Sequence, residues 1–302
     1  MVEVSLLNAV ELDDTDAAIV RELQADGRLP FESLARRIGL SRAAARLRVR
    51  RLLDSGIIRV VGVPHPAVRG VGVLAQVALG VDEGTAPVGA ALADLSSVTS
   101  VAVTTGRLPL VAELRERDLA GLTATVDRIR NLPGVAEVDT LLYTRVLKDP
   151  YFASSEPLQI DPDETDLVLL GMLERDGRLS FAEMAGHVGL SAGAVRSRVR
   201  RLLHKHAVQV TALLNPGALG LARHGGFTLL LAEDSDAAKE ITTWEETLFL
   251  TGCLGRADLT GAVAAESVPA LHALFERLRA LPGVRVTDTW LHLERVEERY
   301  DR

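Results

Sequence analysis

An α+β chain that carries one unit twice is predicted by three observations. Residues 13–53 return at 163–203 with about half of the positions identical. Asp26-Gly27-Arg28-Leu29 with Phe31 comes back as Asp176-Gly177-Arg178-Leu179 with Phe181, and Gly39-Leu40-Ser41 as Gly189-Leu190-Ser191. Arg48-Val49-Arg50-Arg51-Leu52-Leu53 comes back as Arg198-Val199-Arg200-Arg201-Leu202-Leu203. Second, each of these segments shows helical spacing of its apolar residues. Third, each is followed by short aliphatic runs that alternate with two amphipathic stretches, and Leu132-Pro133-Gly134-Val135 returns as Leu281-Pro282-Gly283-Val284. An offset of about 150 residues is far too long for a solenoid repeat. Each copy has the size of a one- or two-domain unit. The expected domains are 1–63, 64–152, 153–214 and 215–302.

Within the first copy, Leu12 to Ala25 reads as a helix capped by Asp13, with Asp14 and Asp16 in the first turn, where negative charge is favourable. Asp26-Gly27 is predicted to end it in a left-handed conformation. Phe31 to Ile38 is a short helix with Leu34, Ala35 and Ile38 inward. Gly39-Leu40-Ser41 is a tight turn, and Ser41 caps a third helix to about Leu53 with Ala45, Val49 and Leu52 inward. Ile57 to Val63 alternates weakly, as a strand or wing. Two short helices joined by a glycine turn, the second capped by serine and rich in arginine, form a winged helix-turn-helix. Downstream come a strand (71–81), a helix (87–95), strands (98–105 and 108–114), a helix (119–132) and a long strand (135–147). That order is βαββαβ, a ferredoxin-like domain. The second copy follows it with strand 227–232, helix 237–245, strands 248–251 and 259–264, helix 268–281 and strand 284–293. A sheet covered by helices on one face leaves an aliphatic face open, and two copies can supply partner sheets to each other.

Apolar content of 47% and charged content of 25% are those of a soluble globular protein. The N-terminus has no secretory pattern. The longest apolar run, near Val71 to Val81, is broken by glycines and Gln76 and is too short to span a bilayer. No membrane partner is expected. Cys253 is the only cysteine, which excludes an internal disulfide or a multi-cysteine zinc site and fits a reducing cytoplasm. No cofactor or metal signature is present: His204 and His206 lack a third ligand, and Cys253 lacks activating context. The acidic runs 13–16 and 161–166 read as helix caps, so no hydrolytic constellation remains and an enzyme is not the expectation.

The net charge of −7 argues superficially against nucleic acid. Its distribution argues for it: residues 31–59 hold eight arginines against Glu32 and Asp54, and residues 181–209 hold four arginines and Lys205 against Glu183. Local patches govern contact with phosphate. With Ala45, Val49 and Leu52 inward, Arg42, Arg46 and Arg50 form an outer stripe at four-residue spacing behind Ser41. Such a stripe reaches phosphates and base edges in a major groove. Arg48 and Arg51 lie off it, placed either for the acids of the first helix or for DNA. In the second copy Ser191, Arg196 and Arg200 remain, but Ala192 and Gly193 replace Arg42 and Ala43, so weaker or altered DNA binding is expected there.

These residues together resemble the Lrp/AsnC, or feast/famine, family of transcription regulators. They comprise the acidic-capped first helix, Asp-Gly-Arg before the second, Gly-Leu-Ser before the third, its Arg-Val-Arg-Arg-Leu end, the Leu-Pro-Gly-Val turn and the later Thr140 and Thr289. The resemblance covers nearly the whole chain, twice. It implies double-stranded DNA as partner, sensing domains assembled through facing sheets, further homo-oligomers, and a small effector, usually an amino acid, bound between paired sensing domains. It also implies a Gly-x-x-Asp effector loop. The second copy has it as Gly255-Arg256-Ala257-Asp258, whereas the first has Gly106-Arg107-Leu108-Pro109 after Thr105, where proline offers neither carboxylate nor N–H. The implied effector residues are Thr105, Gly106, Arg107, Thr140, Gly255, Arg256, Asp258 and Thr289.

The expected arrangement is an intramolecular pseudo-dimer reading half-sites about 34 Å apart. DNA reading is weighted to the first copy and effector sensing to the second. Two rivals stand beside it. Siroheme decarboxylases are similar to this family and occur as fused pairs; Arg223-His224 is a faint echo of their basic motif, with no counterpart in the first copy. A sensor subunit without DNA binding is the other, and the full arginine stripe argues against it.

Overall fold

The computed structural model of the chain describes residues 12–82, 84–149, 158, 160–215 and 223–298. The described residues form two compact units, and each unit draws on both sequence copies. One holds the residues up to His65 together with those between 158 and 215. The other holds those from Pro66 to 149 together with those from Arg223 on. The expected boundaries at 152–153 and at 215 onward meet segments outside the described residues.

The first unit contains helices α1 (Asp14–Ala25), α2 (Phe31–Ile38) and α3 (Arg42–Asp54) with strand β1 (Ile58–Pro64). Their counterparts are α6 (Glu164–Arg175), α7 (Phe181–Val188), α8 (Ala192–His204) and β6 (Val208–Leu214). Caps set the helix starts: Asp13 accepts from the Asp16 N–H at 2.7 Å and Ser41 from the Ala44 N–H at 3.2 Å. Asp163 and Ser180 each form a full capping box. Gly39 and Gly189 end α2 and α7 in the left-handed region, at φ 73° and 67°.

Asp26-Gly27 behaves differently from its sequence expectation. Asp26 ends α1 in an extended conformation, φ −147°, and Gly27 is not left-handed. Gly27 is required by space. A Cβ there would lie 2.9 Å from the side chains of Val60 and Val210, and its N–H donates to the Val210 carbonyl at 2.8 Å. Gly177 repeats this, donating to the Val60 carbonyl at 2.9 Å. These contacts reach across because the expected wing is shared. Strand β1 pairs antiparallel with β6, Val61 opposite Thr211. Val210 and Ala212 of the second copy complete the apolar core of the first, against Ile19, Leu23 and Ile58.

The second unit holds β2 (Val73–Val81), α4 (Thr85–Ala93), β3 (Val98–Thr104), β4 (Leu110–Glu116), α5 (Leu119–Arg130) and β5 (Val135–Lys148). The second copy repeats them as β7 (Arg223–Leu231), α9 (Ala237–Thr243), β8 (Thr247–Leu254), β9 (Leu259–Ala265), α10 (Val268–Arg279) and β10 (Val284–Glu298). Each copy makes an antiparallel four-stranded sheet, ordered β5-β2-β4-β3 and β10-β7-β9-β8. The helices cover the outer faces over cores centred on Leu79, Val101 and Ile129 in one copy and Phe227, Leu250 and Leu278 in the other.

Facing sheets describe this pair only in part, because the sheets also join edge to edge. Strand β5 pairs with β8 and β10 with β3, closing an eight-stranded barrel. Long last strands make this possible. Val135 to Leu142 serves β2, and Leu142 to Lys148 continues onto β8. Register shifts between Tyr143 and Arg145 and between His292 and Glu294 mark where each strand bends from one sheet to the other. Closure leaves the barrel no open strand edge among the described residues at which to aggregate.

Candidate nucleic-acid interface and effector site

The recognition helix α3 is anchored by Ala45, Val49 and Leu52, all fully buried against Ile19, Leu23, Leu34 and Ile57. That anchoring points Arg42, Arg46 and Arg50 outward. All three are exposed, and none has an ion-pair or hydrogen-bond partner among the described residues. The other arginines of the helix are committed. Arg48 bridges Asp13 (2.6 Å) and Asp16 (2.9 Å), and Arg51 also meets Asp16. Asp16 is fully buried, so together with Asp13 it neutralises these two arginines rather than serving only the helix dipole. The Arg48 guanidinium holds the Asp13 carboxyl below the usual carboxylate range.

The second copy reproduces the geometry. Ser191 caps α8 by accepting from the Ala194 N–H, Val195, Val199 and Leu202 are buried, and Arg198 and Arg201 bind Asp163 and Asp166. Arg196 and Arg200 remain exposed and unpaired among the described residues. The outer stripe therefore carries three free arginines on α3 and two on α8.

Two further arginines, which periodicity could not assign, hold the helix-turn-helix pair together. Arg28 donates to the carbonyls of Gly177 (2.6 Å) and Leu179 (2.9 Å) and lies over the Phe181 ring at 4.7 Å. Arg178 donates to those of Gly27 (2.9 Å) and Leu29 (3.2 Å) and lies over Phe31 at 4.5 Å. A planar donor fork on carbonyls with its face on an aromatic ring is a contact that lysine cannot copy. The Asp-Gly-Arg…Phe motif thus encodes the pairing of the two copies. Its signal was in the repeat: each member had to be kept twice.

In the barrel, the implied effector residues separate. Thr105 and Arg107 from one copy meet Arg256, Asp288 and Trp290 from the other around a small pocket also lined by Gln76. Arg256 binds Asp139, lies 3.9 Å from Asp288, and donates to the Thr228 hydroxyl at 3.2 Å. Arg107 pairs with Glu137, which raises its pKa. Thr105 is tied to β10: its N–H donates to the Leu291 carbonyl and its hydroxyl accepts from the Leu291 N–H. Gly106 and Gly255 supply the turns at φ 104° and 140°.

Thr140, Asp258 and Thr289 do not line that pocket. The Thr140 hydroxyl is buried without a partner, and the Thr289 N–H donates to Asp288. Asp258 is engaged elsewhere. Its carboxylate accepts from the Leu231 N–H at 2.8 Å and its own N–H donates to the Leu229 carbonyl, so it caps the end of β7. Sequence spacing missed Gln76, Asp139, Asp288 and Trp290. One sign of Trp290 was present in Gly225-Gly226 on a strand: a Cβ at Gly226 would lie 2.2 Å from the indole. Among the described residues no cluster of His, Cys, Asp and Glu is placed to hold a metal. Likewise, no helix there is long and apolar enough to cross a membrane.

The AsnC-type helix-turn-helix domain matches residues 12–53 and 163–203, and the Lrp/AsnC ligand binding domain matches residues 73–151. The chain belongs to the Lrp/AsnC family. Among curated relatives, the HTH-type transcriptional regulator LrpA of Mycobacterium tuberculosis is 34% identical over 131 residues, 42% of this chain and 87% of that one. The HTH-type transcriptional regulator FL11 of Pyrococcus abyssi is 29% identical over 142 residues, 46% of this chain and 94% of that one. Each thus spans one copy of the doubled Lrp/AsnC unit. The solved structure of the siroheme decarboxylase NirDL superposes on both copies, with a TM-score of 0.68 over 95% of this chain and 93% of that one. At 15% identity the likeness is one of fold.

Proposed function

We propose that this Lrp/AsnC chain is a transcription regulator rather than an enzyme, a homodimer written as one polypeptide, whose grip on its operator is set by an amino-acid effector. The unpartnered stripe of Arg42, Arg46 and Arg50 carries the DNA half of the reading, because exposed cations left without acids are poised to take phosphates and base edges. Arg46→Ala with Arg50→Ala should weaken operator binding about a hundred-fold or more, at about ten-fold or more per arginine. The same pair of changes at Arg196 and Arg200 should cost less, because α8 has already lost the counterpart of Arg42. Binding by wild type should fall steeply with salt, through counterion release. Gel shifts across a salt series check all three, and equal losses from the two double variants would remove the asymmetry.

For the effector, the small pocket brings together Arg256 (which an incoming carboxylate would take over from Asp139), Asp288 for an ammonium and the Trp290 ring as an apolar wall. A thermal-shift screen over amino acids should find a stabilising ligand. Arg256→Ala should abolish its shift, while Asp258→Ala should keep it. The reverse pattern would return the site to the Gly-x-x-Asp loop. The cytoplasm follows from a DNA partner, and larger homo-oligomers follow from the family and are read by light scattering.

A second reading, siroheme decarboxylation, has one observation behind it besides the fold. His224 and Arg295 lie 3.4 Å apart beside the partly buried His292, whose pKa burial, His224 and Arg295 push down to about 4. A porphyrin absorbance band on the purified protein would favour it.

A further inference from the structure

The two recognition helices are presented alike, but one of the differences between their outer faces is a large apolar side chain. Leu47, in the second turn of α3, is 70% exposed, the most exposed large hydrophobic among the described residues. It stands on the outer face beside Arg46 and Arg50, next to the small Ala43 one turn before it. Its counterpart on α8 is Ser197, also exposed. The backbone gives no reason for the difference: both helices are capped by serine and carry the same buried triad spacing. The β1–β6 ribbon and the reciprocal hooks of Arg28 and Arg178 relate the two helix-turn-helix copies to each other in the same way. The asymmetry lies in the side chains alone.

We infer that Leu47 is a specificity residue that reads a thymine methyl in one half-site only, so that this chain recognises an asymmetric operator in one orientation. The inference rests on the DNA-reading role proposed above. A leucine on this face gains nothing from folding, and the arginines around it commit the surface to an anionic partner. On the floor of the major groove the apolar group that such a side chain can cover is the C5-methyl of thymine. Ser197 offers a hydroxyl that bonds to several base edges and has no methyl preference. The first half-site therefore carries an obligatory thymine opposite Leu47, and the second is indifferent at the equivalent position.

The experiment selects sites from a randomised duplex library with the full chain. Each thymine of the selected site is then replaced in turn by deoxyuridine, which removes only the methyl. One replacement, in one half-site, should weaken binding about four-fold, the worth of one buried methyl group. Leu47→Ser should erase that loss while leaving the melting temperature and the remaining selected bases in place. Ser197→Leu should create a second methyl-dependent position in the other half. The inference is overturned if every deoxyuridine duplex binds wild type as tightly as the parent, or if Leu47→Ser keeps the same loss. Failure to enrich any sequence at all would instead remove the DNA reading, and the inference with it.

Discussion

Asp16 shows how a single residue type can serve two purposes. Its position in the first turn of α1 is what a helix start favours, yet it is fully buried beneath Arg48 and Arg51. Removing two of the five arginines of α3 from circulation leaves a stripe of three with a definite direction. The neighbouring pairs of Asp13 with Arg48 and of Asp163 with Arg198 make the helix-turn-helix units sensitive to acid. The Asp13 and Asp163 carboxyls, held down chiefly by hydrogen bonds from Arg48 and Arg198, have folded pKa values below their ordinary 3.8. Their contribution is fully present above that value and is lost as pH falls through the folded pKa. The stability gap between wild type and the Asp13→Asn, Asp163→Asn variant should therefore be widest near neutrality and close below about pH 4. Denaturant titrations at several pH values check this, and a gap that stayed constant to pH 2 would contradict it.

Among the elements, α3 and α8 have the same length, cap and spacing of buried residues but unequal outer faces. Gly193 is the weak point of α8. It has ordinary negative φ, and a Cβ there would meet nothing closer than the Ser191 hydroxyl at 3.9 Å. Gly193→Ala should stabilise the protein by about 0.5–1 kcal/mol. A rise in denaturant midpoint at constant slope would show it. Loss of DNA affinity in the same variant would mean that the glycine is there to let a backbone approach closely. Most helix and strand positions were legible from apolar spacing, caps and turns, because those signals are local. The link between the strands at 98–105 and 108–114 was also legible, but the partner of Thr105, Leu291, lies far away in sequence. Nothing in the spacing of Asp258 told that its carboxylate caps the Leu231 N–H instead of facing a ligand.

At the scale of the whole molecule, both units are built by exchange between the copies. The ribbon β1–β6 and the barrel pairs β5–β8 and β10–β3 join residues far apart in sequence. A fused chain pays the cost of bringing these partners together once, as loop closure, and not at every encounter in solution. The reciprocal arginine hooks are the test of that arrangement. Arg28→Ala should destabilise the protein by about 2 kcal/mol, since it leaves two charge-assisted hydrogen bonds unmade. Arg28→Lys should rescue little of it, because a single ammonium cannot span both carbonyls and lie flat on Phe181. Chemical denaturation followed by circular dichroism would decide, and full rescue by lysine would reduce the hook to a simple charge.

The duplication, the helix-turn-helix and the βαββαβ order follow from the sequence by itself, since repeats, helical spacing, serine caps and glycine turns act within a few residues of one another. So does the arginine stripe, whose direction is dictated by the buried triad on the same helix. Tertiary structure alone decided that Gly27 yields space rather than a left-handed turn, that Arg28 belongs to the other copy, and that the sheets close edge to edge. It alone separated Asp258 from the pocket that Arg256, Asp288 and Trp290 form. Those outcomes depend on which distant backbone amides and carbonyls are satisfied by which partner, and that long-range matching leaves no periodic trace in the chain.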